Sequence, residues 1–444
     1  MQIFISPTAT ASPSAAIVEG GWYALALAAL ALGSVMAVVL VLAKTPWLAT
    51  ALGLDQFFPV ALVYHVNLTI LLWVNAVAAL LWRQAFVCRW PLLDGLGLWL
   101  AAVGAVTLLF PLGGAPTAVL SNYVPVIDSH WFVGGLAAFM AGVTLHLINR
   151  LPALIAGLVS LRRDGEWLLA LAGFAWLMAI VVLLITGWQL QPLQHWTQQA
   201  ELLFWGGGHV IQAVNLLLLL AVAMRLAGAR VSEFTARLLQ SFMLAALVAA
   251  LAIALAYDPA SAEYRQLFTG WMRFFSIPLL LLLFWPLWSA HTGRERRESI
   301  ALQGALVLLL LGALVGAAIR GDNLLVPAHY HAMTGALNLM LMVFLYRHYG
   351  NLSASGSHCR QLRLYLLGVV MMVIGLALSG WLGVGRKLAG DAQGLAGVAE
   401  HAAWGLMGVG GALALMGCFM FLSAQLRAAW LQRRNGHELP LEVN

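Results

Sequence analysis

The segment Val326-Pro327-Ala328-His329-Tyr330-His331-Ala332-Met333-Thr334 holds the residues best suited to chemistry. Imidazole is the commonest metal and haem-iron ligand. Two histidines separated by one residue sit about 200° apart around a helix, at about 100° per residue. Such a pair cannot hold one metal from one face. It can serve two centres on opposite sides of the same helix. The bland alternative is a polar pair at a membrane interface, and what else lies at the same depth decides between them.

The elements that must position these residues are membrane spans. The chain has 444 residues, 62% hydrophobic and 9% charged, with a mean hydropathy of +0.89. No water-soluble domain has this balance. Apolar stretches of about twenty residues recur along the whole length and read as spanning helices. The pattern predicts an all-α integral membrane protein with twelve transmembrane helices, near 20–43, 57–82, 92–112, 129–149, 166–187, 202–225, 237–257, 267–288, 301–319, 328–347, 362–384 and 399–424. A short tail, 1–19, would precede a single membrane domain over 20–424, with a cytoplasmic tail over 425–444. Cys88, Cys359 and Cys418 have no C-x-x-C spacing and imply neither a disulfide framework nor a thiolate metal site.

Charge sets the expected orientation. Six alternate connections carry 17 of the 23 Lys and Arg residues: Arg83 and Arg89; Arg150, Arg162 and Arg163; Arg225, Arg230 and Arg237; Arg294, Arg296 and Arg297; Arg347, Arg360 and Arg363; Arg427, Arg433 and Arg434. Positive charge stays on the cytoplasmic side, so both termini are expected there, in a bacterial-type inner membrane. The net charge of +6 thus speaks to orientation and not to nucleic acid. On this topology His65 lies about 8 residues, roughly 12 Å, into span two from the outer face, and His209 about as deep in span six. His329 and His331 begin span ten, and His401 begins span twelve, also from the outer face. His146, His291, His348, His358 and His437 fall at the inner side. Ionisable groups inside a membrane are rare and usually face a functional interior. Imidazoles at one depth on several helices are what haem between helices requires.

Several segments resemble the catalytic subunit (subunit I) of the heme-copper oxidases, nearest the B-family oxygen reductases. They are Tyr64-His65-Val66-Asn67 in span two, Asn122-Tyr123-Val124-Pro125 and Ser129-His130-Trp131-Phe132 before span four, and Phe204-Trp205-Gly206-Gly207-Gly208-His209 in span six. With them go His329-Tyr330-His331 and Leu382-Gly383-Val384-Gly385-Arg386-Lys387. The resemblance covers essentially the whole chain. It implies a respiratory oxidoreductase similar to cytochrome c oxidase subunit I, with two haems. His65 and His331 would be the axial ligands of a low-spin haem used for electron transport. His329 would be the proximal ligand of a high-spin haem with an open position for a small gas, oxygen by default. Arg386 and Lys387 would pair with haem propionates, the lysine standing where the family has a second arginine. His209 would be the first copper ligand.

The copper site is where the sequence departs from the family. The usual histidine pair after span seven is replaced by Tyr264-Arg265 within Asp258-Pro259-Ala260-Ser261-Ala262-Glu263-Tyr264-Arg265. His209 alone is too few for a three-histidine copper site, and arginine cannot ligate. The family's tyrosine one turn after the span-six histidine is missing too, with Ala213 at that spacing; Tyr264 is the candidate catalytic replacement. Gly206, Gly207 and Gly208 allow close approach, of a haem face or of another helix. Gln212, Asn215, Asn67, Thr69, Asn75, Thr334 and Asn338 form either a proton path or satisfied interhelical hydrogen bonds. No acidic residue stands mid-span. Two rivals stay open: a copper-free paralogue that handles nitric oxide or only carries electrons, and a haem-free transporter or structural membrane subunit. An electron-donor subunit or a cytochrome c-like protein is the expected partner, besides the lipid bilayer.

Overall fold

The computed structural model describes residues 13–54, 56–159, 165–190, 196–288, 295–350 and 355–434. Arg162, Arg163, Arg294, His291 and His437, which bear on orientation and depth, lie outside the described residues, as do residues 1–12 and 435–444 of the two tails.

Helices account for nearly all of it. They are α1 (Pro13–Lys44), α2 (Pro46–Leu52), α3 (Phe58–Val66), α4 (Trp73–Ala85), α5 (Pro91–Thr107), α6 (His130–Ile148), α7 (Leu151–Val159), α8 (Glu166–Gln189), α9 (Trp196–Ala227) and α10 (Glu233–Ala256). After these come α11 (Ala262–Trp288), α12 (Arg296–Ala318), α13 (Leu325–Tyr349), α14 (Ser355–Trp381) and α15 (Val398–Arg434). A π-helical turn, Asn67–Leu72, joins α3 to α4 in one continuous segment two residues beyond His65. One inserted residue in such a turn rotates the next stretch of helix, and π turns concentrate near functional sites.

Among the described residues, ten helical segments are long and apolar enough to cross a membrane. The stretches predicted at 267–288 and 328–347 are helical as well, as α11 and α13. In α13 the polar residues of interest, His329, Tyr330, His331 and Asn338, lower the apolarity. Between α5 and α6 the chain forms a small antiparallel hairpin of β1 (Ala118–Val119) and β2 (Val126–Ile127), with Ala118 opposite Ile127 and Val119 opposite Val126. Its tip carries Asn122 and Tyr123.

The chain divides into two compact units. The first runs up to Ala29 and then over Val66–Trp285. Here α5 packs on α6 through Gly97 and Gly104 of one helix and Gly135 and Gly142 of the other. A Cβ at Gly97 would stand 3.0 Å from the Gly142 carbonyl, and one at Gly135 would stand 2.5 Å from the Leu108 nitrogen. Seven residues make two turns, so each glycine pair lies on one face. Lipid provides no hydrophobic drive between helices, and close backbone contact through small residues supplies dispersion instead. A buried carboxylate adds to this unit. Asp94 of α5 accepts from Arg83 of α4 and, at 2.6 and 3.0 Å, from Arg150, with His146 of α6 at 3.1 Å.

The second unit holds Leu30–His65 and the chain from Pro286 onward. Its α14 and α15 pack by the same device, with Gly368 and Gly375 facing Gly410 and Gly417 across the antiparallel pair. α12 packs on α13, and α13 on α14. The turn after α14 is tied back to the start of α13 by an antiparallel bridge between Asn323 and Gly385 and by the Leu324 N–H donating to Val384 O at 3.1 Å. That tie positions Arg386.

Candidate functional site

The imidazoles of the second unit come first. The Nδ1 of His65, on α3, lies 2.9 Å from Gly33 O of α1. The Nδ1 of His331 lies 2.7 Å from Pro327 O, and that of His329 lies 2.8 Å from Gly312 O of α12. A carbonyl oxygen only accepts, so in all three rings Nδ1 carries the proton and Nε2 carries the lone pair. This is the tautomer in which a histidine binds iron, its other N–H held by a carbonyl.

The three rings are oriented by different means. The bond from His331 to Pro327 is internal to α13, one turn back, and His348 and His401 make the same one-turn bond to Phe344 O and Gly397 O. What distinguishes His331 is that it lies within coulombic range of His65, while Tyr330 stacks beside it at 4.9 Å between ring centroids. His65 and His329 are instead held across helix contacts. α12 offers His329 a floor: a Cβ at Gly316 would stand 2.7 Å from His329 Nδ1 and 2.9 Å from its Cε1. Gly312 and Gly316, one turn apart, thus supply the carbonyl and the space. Neither was singled out from the sequence, although small residues one turn apart on the span before His329 were there to be read.

Arg386 forms an ion pair with Asp322, also at the start of the α13 segment, and Tyr330 lies within coulombic range of Arg386. The guanidinium therefore stands over the same end of α13 as His329 and His331. Lys387 is a non-glycine residue in the left-handed region, at φ 65°. Such backbone conformations persist only where the surroundings impose them; here the bridge at Gly385 does so.

The first unit holds the other candidates, arranged differently. His209 is fully buried on α9. Its Nδ1 donates to Trp205 O at 2.6 Å, and its Nε2 accepts from the Tyr123 hydroxyl at 2.7 Å. Both ring nitrogens are engaged, so as placed the ring offers no lone pair to a metal. The hairpin tip brings Tyr123 there. Glu201 of α9 binds the Asn122 backbone N–H at 2.7 Å and its side-chain amide at 2.5 Å, and Asn67 donates to Pro125 O at 2.7 Å. In the sequence Tyr123 stands out as part of a motif, with no sign of its contact with His209.

Tyr264 is not brought to His209. Its hydroxyl lies 2.8 Å from the Thr186 hydroxyl, and its ring packs on Phe268, which in turn lies against His209. The glycine run serves the tyrosines: a side chain at Gly206 would strike the Tyr264 hydroxyl, one at Gly208 would strike Tyr123, and Gly207 faces Ala179 and Leu183 of α8. Among the described residues no three His, Cys, Asp or Glu side chains converge as a metal site would require. Asn67, Asn75, Thr334 and Asn338 make hydrogen bonds to Pro125 O, Leu71 O, Tyr330 O and the Tyr365 hydroxyl. His130 and His401 are exposed.

Comparison with solved structures places the architecture. A heme-copper terminal oxidase dimer determined by cryo-EM superposes with a TM-score of 0.75 at 16% sequence identity, covering 94% of this chain and 84% of that one. The fold is that of a heme-copper terminal oxidase. At the sequence level the chain is 25% identical over 491 aligned positions to an uncharacterized protein of Rickettsia prowazekii (strain Madrid E), covering 90% of this chain and 94% of the relative. It is 29% identical over 340 positions to an uncharacterized protein of Aquifex aeolicus (strain VF5), covering 73% and 83%. No family model matches.

Proposed function

We propose that the chain is a haem-binding respiratory oxidoreductase subunit of the heme-copper oxidase type, in a bacterial-type inner membrane with both termini cytoplasmic. The observation that carries this reading is the pairing of His65 and His331. Each keeps its Nδ1–H on a backbone carbonyl, the tautomer in which Nε2 is the ligating nitrogen, and the two lie within coulombic range of each other in an apolar protein. This donor set fits haem iron. A haem held by two imidazoles supplies one-electron transfer, and one held by a single imidazole keeps a position for a small gas.

Each residue then has a stated task. His65 and His331, oriented by Gly33 O and Pro327 O, would hold one haem iron and give it electron-transfer chemistry. His329, oriented by Gly312 O and seated on Gly316, would hold a second haem iron. Arg386 and Lys387 would pair with propionate carboxylates; Asp322 shares Arg386. The electron donor is a separate subunit or a cytochrome c-like protein.

The copper of the family does not fit the residues present. His209 is closed at both nitrogens, and no three-ligand grouping occurs among the described residues. This favours the second reading, a copper-free paralogue that acts on nitric oxide or only passes electrons, over a standard oxygen reductase.

The test is haem and metal analysis of the detergent-purified protein, with reduced-minus-oxidised spectra with and without carbon monoxide. Two haems per chain are expected, one of them binding carbon monoxide. His65→Ala and His331→Ala each remove the low-spin signal, and His329→Ala removes the carbon monoxide-binding one. Copper near one per chain would overturn the copper-free reading. A protein without Soret absorbance would overturn the proposal as a whole.

A further inference from the structure

We propose that the second unit binds one anionic phospholipid in a groove between α1, α14 and α15. The groove has a volume of about 700 Å³ and lies along helices apolar enough to cross a membrane. That volume falls in the range of sites that hold a small organic molecule. Its walls are mostly aliphatic and aromatic, with Val38 and Leu42 from α1 and Leu415 and Phe419 from α15.

The polar lining is gathered at one end. Ser357 lies in the first turn of α14, while Ser423 and Arg427 lie in the last turns of α15. The antiparallel packing, with Gly417 against Tyr365 and Gly410 against Met372, brings those two helix ends to one level. From Ala412 to Arg427 the wall runs fifteen residues, about 22 Å of rise. One leaflet of hydrocarbon is about 15 Å deep, so the groove accepts an acyl chain with a headgroup at the Arg427 end.

Charge selects the headgroup. The ion pairs of this unit use Arg297, Arg347 and Arg386. Among the described residues Arg427 has no carboxylate partner, and neither have Arg360 and Arg363 near the same end of α14. An exposed guanidinium at the rim of an apolar groove is matched by a phosphate on an acyl chain, and guanidinium binds phosphate with two parallel hydrogen bonds.

The experiment is native mass spectrometry of the full chain released from nanodiscs of equal phosphatidylglycerol and phosphatidylcholine. One phosphatidylglycerol per chain is expected to survive detergent stripping, with phosphatidylcholine absent. Arg427→Gln is expected to weaken its retention about fivefold, from the roughly 1 kcal/mol that one basic residue near the surface contributes. Ala412→Trp, which fills the groove at an exposed position, is expected to abolish it; Ser423→Trp tests the same point independently. Equal retention of the two lipids, or undiminished retention in both tryptophan variants, overturns the site. Unchanged retention in Arg427→Gln overturns the assignment of the phosphate to that residue.

Discussion

Gly316→Ala is the substitution that separates the two proposed haem ligands of α13. The added methyl would stand 2.7 Å from His329 Nδ1, where ordinary contact begins near 3.4 Å, so the ring must retreat by about 0.7 Å. A retreat away from Gly312 O then lengthens the Nδ1 bond from 2.8 Å to about 3.5 Å, past the usual range. A bond of this kind contributes about 0.5–1.5 kcal/mol, and loss of such an outer partner of a metal-binding histidine lowers affinity about 10–100-fold. Alanine is also the better helix former by about 1 kcal/mol, which offsets the lost bond, so the variant should fold. The assay is titration of haem into the apoprotein followed by carbon monoxide difference spectra. The carbon monoxide-binding haem should be lost at limiting haem, while the low-spin signal of His65 and His331 persists as an internal control. Retention of full carbon monoxide binding would refute the placement of His329 on α12, and equal loss of both signals would refute the independence of the two sites. Gly408→Ala, at a position where a Cβ meets nothing within 4 Å, serves as the comparison.

Two further outcomes concern the first unit. Tyr123→Phe removes the hydroxyl that donates to His209 Nε2 and leaves a buried acceptor without that hydrogen bond, at a cost of about 1–3 kcal/mol; it should lower the thermal unfolding midpoint in detergent without altering the haem spectra, and a spectral change would place His209 at a haem. Asp94→Asn leaves the buried Arg150 without its counter-charge and Arg83 with Glu19 alone, at 3.7 Å, a loss of about 3–5 kcal/mol. Thermal unfolding should detect it, and an unchanged midpoint would show that the cluster is not a net support of α4, α5 and α6.

Some of this was legible without coordinates. Polar groups are costly in hydrocarbon, so their positions in apolar stretches stand out in the sequence itself. That is why the helical stretches and the opposite faces of His329 and His331 could be read from spacing alone. The helical class depends on the same physics, because a lone chain in lipid must satisfy its own backbone. The count of spans is less clear, since the histidines that make α13 interesting also lower its apolarity.

What tertiary structure decided is which imidazole nitrogen has a lone pair to offer. His209 and His329 are indistinguishable by type. The difference is made by the hydroxyl of Tyr123, 86 residues earlier in the chain, and by the carbonyl of Gly312, 17 residues earlier. The donor to His209 Nε2 arrives on a two-stranded hairpin whose tip is fixed by Glu201, and no periodicity in the sequence connects the two. Likewise Tyr264, which the sequence offered as a neighbour of His209, is turned to Thr186 by a contact across Gly206 that only the packing of α8, α9 and α11 creates. Hydrogen bonds act over about 3 Å, so their partners are set by how distant segments meet; hydrophobicity acts residue by residue, and so is already written in the chain.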